Sequence, residues 1–146
     1  MIHWPERYDP ARTPVHVRNE FDTRAAPALV WAWLVRAAMG PSWYPNSRDV
    51  RLDGGSSVDL SLARSFTWRT FGVSIRSTVL EYAPPERIAW NAFGLGVDAY
   101  HAWLITPAPT GSHLLTEETQ CGWALASETA CFRPGCPGSI SYGASA

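Results

Sequence analysis

The chain of 146 residues is long enough for one domain with a sizeable core and no need of disulfides. Its formal net charge of -1 lacks the basic footprint that phosphate binding demands, which argues against a nucleic acid partner. All twelve basic residues are arginine, a bias that points to a GC-rich genome rather than to a function. The N-terminus shows no apolar stretch of signal-peptide type, and no run reaches transmembrane length. The three cysteines all follow residue 120, at no metal-ligand spacing. These features predict a reduced, cytoplasmic protein with no cofactor, no metal and no membrane span.

Residues 1 to 14 are polar and proline-containing, and read as a lead-in or a loose arm. Val15, Val17, Asn19 and Phe21 then alternate with His16, Arg18 and Glu20, the period of a half-exposed strand. Pro27 suits the first position of a helix, with Asp22 or Thr23 upstream as its cap. Leu29, Val30, Trp33 and Leu34 fall at helical spacing until Gly40-Pro41, and a short Ser-Trp-Tyr-Pro segment allows one more helical turn. Trp31 and Trp33 lie two apart on that helix, so only one can be a core residue.

From Arg48 to Gln120 the pattern is one of consecutive strands. Val50 and Leu52 run into Asp53-Gly54-Gly55, a hairpin signal, and Val58, Leu60 and Leu62 alternate as the next strand. Phe66 and Trp68 follow, then Gly72, then Val73, Ile75, Ser77 and Val79. Pro84-Pro85 fixes two φ angles and removes two backbone donors, so the chain must leave the sheet and return with Ile88, Trp90 and Ala92. Tyr100 to Thr106 and Leu114 to Gln120 flank the loop Pro107 to Gly111. Short loops between neighbours imply an antiparallel meander rather than βαβ crossovers.

This order resembles the START-related helix-grip (SRPBCC, polyketide cyclase/dehydrase-like) superfamily. The residues that carry the resemblance are Ala25-Ala26-Pro27 with Val30-Trp31 and Leu34, then Trp43 and Pro45, Phe66-x-Trp68 and Gly72. They continue with Val79-x-Glu81-x-x-Pro84-x-x-Arg87-Ile88-x-Trp90, His101-x-Trp103, and Gly111 with Glu117-Glu118 and Gly122. The resemblance implies an α+β helix-grip fold, in which a curved antiparallel sheet wraps short helices. It divides the chain into an arm (1–14), a helix-grip domain (15–130) and an irregular tail (131–146). Members of the superfamily lay a long C-terminal helix across the sheet. Here Trp123 to Ala130 could begin one, but Pro134, Pro137 and two glycines cost about 1 to 3 kcal/mol each inside a helix. The C-terminal helix therefore reads as truncated or disrupted, through an out-of-frame terminus or a functional short form. A sheet left uncovered in this way is expected to be less stable than a complete relative and prone to association.

The superfamily hosts carriers, enzymes and co-chaperones, so fold does not fix function. The leading expectation is binding of a small hydrophobic or aromatic molecule between sheet and helices. Trp43, Trp68, Trp90 and Trp103 are its candidate ligand-binding residues, with a solid core as their competing role. One alternative is a polyketide cyclase/dehydratase-type enzyme; a second is an Hsp90-activator-like co-chaperone, which leaves a protein partner open. For catalysis the candidates are His101 with Glu117 or Glu118. A hairpin around Pro107 to Gly111 pairs residue 101 near 117 or 118, and such a pair serves proton transfer if it faces the cavity and solvation if it faces outward. Arg69, Arg76 and Arg87 are expected on solvated strand faces.

Overall fold

The computed structural model describes residues 1–37, 47–54 and 58–122. A 3₁₀ turn at Glu6–Tyr8 precedes strand β1 (Val15–Thr23), helix α1 (Pro27–Leu34) and strand β2 (Arg48–Leu52). Strands β3 (Ser65–Thr70), β4 (Val73–Ala83), β5 (Arg87–Gly94), β6 (Val97–Ala108) and β7 (Gly111–Gln120) follow. The seven strands among the described residues form one antiparallel sheet in the order β1-β7-β6-β5-β4-β3-β2. The meander from β2 to β7 is as predicted, and β1 adds to its far edge by pairing with β7. This curved, unclosed sheet with α1 against one face is the α+β helix-grip fold. Trp43 and the whole tail 131–146, with the expectation of a disrupted C-terminal helix, lie outside the described residues.

Period-2 alternation sends one set of side chains to the concave face beneath α1. There Trp31 and Leu34 of α1 join Phe66, Val79, Ile88, Trp90, Trp103 and Ile105 in one buried cluster. Each such side chain taken out of water contributes roughly 1.5 to 3 kcal/mol. Trp31 sits edge-on to Tyr82, with ring centroids 5.2 Å apart. Trp31 is buried and Trp33 is half exposed, as their spacing requires.

The opposite face is also covered. Ile2, Trp4 and Tyr8 pack onto Ala89, Tyr100 and Ala102, so residues 1–14 form a strap along the convex side rather than a loose arm. Tyr8 stacks on Tyr100 at 5.3 Å, and its hydroxyl donates to Asp98 Oδ1 at 2.8 Å. The Thr119 hydroxyl donates to the Tyr8 carbonyl at 2.9 Å. Burial, with a smaller contribution from Glu81, pushes the Tyr100 phenol up to about 12.

Three local expectations are corrected. The strand predicted over Val58, Leu60 and Leu62 does not form, because β2 takes β3 as its partner. Leu60 alone is buried, its N–H donating to the Val35 carbonyl at 2.7 Å, while Val58 and Leu62 face solvent. Asp53 and Gly54 accordingly follow β2 without a tight hairpin, since β3 begins only at Ser65; Gly55 lies outside the described residues. At the helix start, Ala26 is the N-cap and makes no side-chain capping bond; the Thr23 hydroxyl accepts from the Ala25 N–H at 3.2 Å. A register shift between Val79 and Glu81 marks a bulge in β4. It leaves Leu80 half exposed and turns Tyr82, not Glu81, toward the helix.

Gly111 opens β7 at φ 134°, and a Cβ there would meet the Thr23 carbonyl oxygen at 2.0 Å. Gly72 has φ 79° with open space around it. Gly111→Ala should therefore destabilise the fold by about 3 kcal/mol, combining strain with displacement of the β1 terminus. Gly72→Ala should cost only about 1 kcal/mol, from backbone strain alone. Urea denaturation of the two variants checks the order, and equal losses would contradict it.

Candidate functional site

The β6–β7 hairpin sets the site. Its strands extend to Ala108 and Gly111, leaving a tight turn where the sequence suggested a five-residue loop. The register pairs His101 with Glu118 and Trp103 with Thr116. Residues 116, 118 and 120 thus share the concave face with 101 and 103, and Glu117 falls on the other face beside Ala102. The structure brings His101 and Glu118 together and separates Glu117 from them. Glu117 instead lies 3.5 Å from Arg18 and 3.7 Å from His16 on the convex side.

His101 Nδ1 lies 3.1 Å from Glu118 Oε2, and its Nε2 lies 2.9 Å from the Thr116 hydroxyl. Its ring is parallel to Trp103, 5.8 Å between centroids, and tilted by 31° to Trp90 at 5.3 Å. Imidazole, carboxylate and indoles therefore form one ladder across β5, β6 and β7. Burial of Glu118 opposes its ionisation and is the largest influence on it. The hydrogen bond and charge of His101, with a hydrogen bond from the Gln120 amide, outweigh that effect and hold the carboxyl below its ordinary value.

Two clefts flank the ladder. The larger, about 280 Å³, lies between α1 and the β1–β7 end of the sheet and is lined by Phe21, Val30, Trp33, Leu34, Trp103 and Leu114, with Thr23 and Ala25 at its edge. The smaller, about 40 Å³, lies toward β3 and β4, where Trp68, Trp90, His101, Glu118 and Gln120 meet Thr70 and Phe71. Trp103 thus lines one cleft, Trp68 and Trp90 the other, and both Trp90 and Trp103 also serve the core. Sequence reasoning did not assign Phe21, Val30, Leu34, Leu114, Thr116 or Gln120 to the site. Extending the period-2 register from Glu118 would have found Leu114, Thr116 and Gln120.

Arg69, Arg76 and Arg87 point to the convex side: Arg76 pairs with Asp53, and Arg87 Nε reaches Glu81 at 2.8 Å. No cluster of three or more metal-binding side chains occurs among the described residues, and no described helix is long and apolar enough to cross a membrane.

The lowered Glu118 carboxyl has a consequence for acid stability. A folded-state value below the ordinary 4.5 means that ionised Glu118 supports the fold above that pH. This support fades as pH falls through the lower folded value. Glu118→Gln should therefore lower stability at neutral pH and flatten the loss of stability on acidification below about 4.5. Urea midpoints measured against pH test this; parallel curves for the two proteins would refute it.

Comparison with known proteins follows this geometry. No curated protein matches the sequence significantly. A hypothetical protein, jhp0584 from Helicobacter pylori, is similar in structure with a TM-score of 0.77 and 26% identity, over 84% of this chain and 79% of that one. Protein CV1439 from Chromobacterium violaceum aligns with a TM-score of 0.63 and 17% identity, over 80% of this chain and 87% of that one. The di-domain ARO/CYC StfQ from the steffimycin biosynthetic pathway aligns at 0.61 with 18% identity, over 77% of this chain and 38% of that protein. The family model for polyketide cyclase / dehydrase and lipid transport matches residues 14–135, which include every described strand and α1. The chain therefore belongs to that family, within the START-related helix-grip superfamily.

Proposed function

We propose that the protein binds a small hydrophobic or aromatic molecule in the larger cleft between α1 and the sheet. The observation that carries this reading is the composition of the cleft wall. Phe21, Val30, Leu34, Trp103 and Leu114 present hydrocarbon and indole, with the Thr23 hydroxyl as a polar edge. About 280 Å³ is close to the lower end of typical ligand pockets and suits a guest of roughly one or two rings. Membership of a family described by lipid transport as well as cyclisation supports the same reading.

Trp33 and Trp103 make the cleft self-reporting. A two-ring apolar probe such as naphthalene should quench tryptophan fluorescence saturably. Val30→Phe, which fills the cleft, should weaken that binding about tenfold, equivalent to ~1.4 kcal/mol. Linear, non-saturating quenching, or full affinity in a folded Val30→Phe variant, would overturn the reading.

A second reading, cyclase/dehydratase-type catalysis, is favoured by one specific observation. The His101–Glu118 pair faces the concave side at 3.1 Å rather than solvent on the convex side. A carboxylate-oriented imidazole accepts a proton from an activated carbon and returns it to an oxygen. His101→Gln should then lower turnover of a poly-β-carbonyl substrate by roughly 10² to 10⁴-fold while leaving naphthalene binding intact. Turnover unaffected by the substitution would remove His101 from the chemistry.

A further inference from the structure

The two edges of the sheet are finished differently. At one edge β2 is only five residues long, its register against β3 is irregular between Arg48 and Arg51, and Asp49 sits at φ 53°. A short, irregular edge of this kind accepts no further strand easily. At the other edge β1 runs for nine residues, Val15–Thr23, with no proline and in unbroken register with β7. No further strand lies beyond it among the described residues, and Arg18, Asn19 and Glu20 at its centre are exposed. The outward N–H and C=O groups of such an edge are a template for one more antiparallel strand.

The order of side chains along β1 says which strand fits. On the convex face, His16 and Arg18 occupy its first half and Glu20 and Asp22 its second. A second β1 laid antiparallel about Asn19 sets Arg18 opposite Glu20 and His16 opposite Asp22, on both sides of the centre. On the concave face Val17 then meets Phe21, and Val15 meets Thr23. Sliding the pair by two residues destroys the match. Centred on Arg18 it places two guanidinium groups face to face, and centred on Glu20 it places two carboxylates together. Opposite charges directly across two strands support a pairing, and like charges oppose it.

We propose that the protein forms a two-fold homodimer in which β1 of one copy pairs antiparallel with β1 of a second, centred on Asn19, so that their sheets become continuous. The same patch serves both copies, so the contact closes on itself. Nine facing residues supply about eight to ten backbone hydrogen bonds, as many as a specific interface carries. Within one copy Arg18 already meets Glu20 on its own strand and lies 3.5 Å from Glu117 on β7. Glu20 of the second copy approaches Arg18 from the open side, so four charges of alternating sign form a square across the seam. Phe21 and Thr23 also line the larger cleft. Its wall thus continues into Val17 and Val15 of the second copy. The dimer stands whatever that cleft binds.

The test is the mass of the full-length protein by sedimentation equilibrium over a dilution series, which should show a reversible dimer. Arg18→Glu and Glu20→Arg each set like charges opposite one another twice, and each should raise the dissociation constant about tenfold or more. An equimolar mixture of the two variants should recover a mixed dimer of wild-type affinity, because every contact between positions 18 and 20 again joins opposite charges. A merely structural effect of either substitution would not be rescued by mixing. If Arg18→Glu, which also loses Glu117, fails to fold, Glu20→Arg alone reports the loss. Asn19→Cys, with Cys121, Cys131 and Cys136 changed to serine, checks the register. Position 19 faces itself, so oxidation should yield a covalent dimer, whereas Glu20→Cys in the same background should not. A monomer at every concentration overturns the proposal, as does open-ended growth, the mark of β1 pairing with β2 of another copy. So do homodimers of the folded variants as tight as their mixture, or cross-linking at position 20 in preference to 19.

Discussion

The pairing of β6 with β7 is the constraint on which the rest of the molecule depends. These strands carry the buried Trp103 and Ile105, the His101–Glu118 pair and the junction between the two clefts. Side chains alternate with a period of two, so a slip of one residue would turn the whole set around. Glu117 would then enter beneath the helix and Glu118 would face Arg18. Both faces oppose such a slip. Trp103, Ile105 and Leu114 must stay under α1, while Tyr100 and Ala102 must stay under the N-terminal strap. The tight turn closed by Gly111 adds a covalent limit, since the backbone of Thr23 and Arg24 leaves no room for a side chain there.

With the register set, the division of labour between the faces follows from charge. Formal charges gather on the convex side, where Arg7–Asp98, Arg18–Glu117, Arg76–Asp53 and Arg87–Glu81 pair at or near solvent. Pairs of this kind contribute little to stability, of order 0 to 1 kcal/mol each when exposed. The described strands send to the concave face, beneath apolar and aromatic neighbours, the coupled pair His101 and Glu118. The paired charges and the two clefts thus lie on opposite sides of one sheet.

The meander, the helix start at Pro27 and the convergence of His101 with Glu118 were legible in the sequence because each rests on local signals. Alternation, a double proline and a short turn act over a few residues. What escaped has a tertiary origin. Val58, Leu60 and Leu62 alternate like a strand, but only their surroundings show that Leu60 plugs the core while its neighbours face solvent. The β4 bulge reverses the phase at Leu80, and no composition signal announces it. The strap along the convex face looked like a loose arm because its contacts, Tyr8 with Tyr100 and Asp98, lie some ninety positions away. A cleft between sheet and helix was expected, with Trp103 in its wall, but the rest of that wall escaped for a similar reason: Phe21, Leu34 and Leu114 come from three separate elements and meet only in the fold.

The placement of β1 at the edge beside β7 also orders events in time. Every other neighbouring pair in the sheet joins consecutive strands, so β2 to β7 can assemble by successive local closures. Val15, by contrast, pairs with Gln120. The cost of closing a loop is paid before its contacts are gained, and it grows with the length of chain enclosed. During synthesis β1 leaves the ribosome before β7 and must therefore wait for it before it finds its partner. Until then its edge, and the apolar flank of β7 that it will cover, are the exposed surfaces a nascent chain must keep from other molecules.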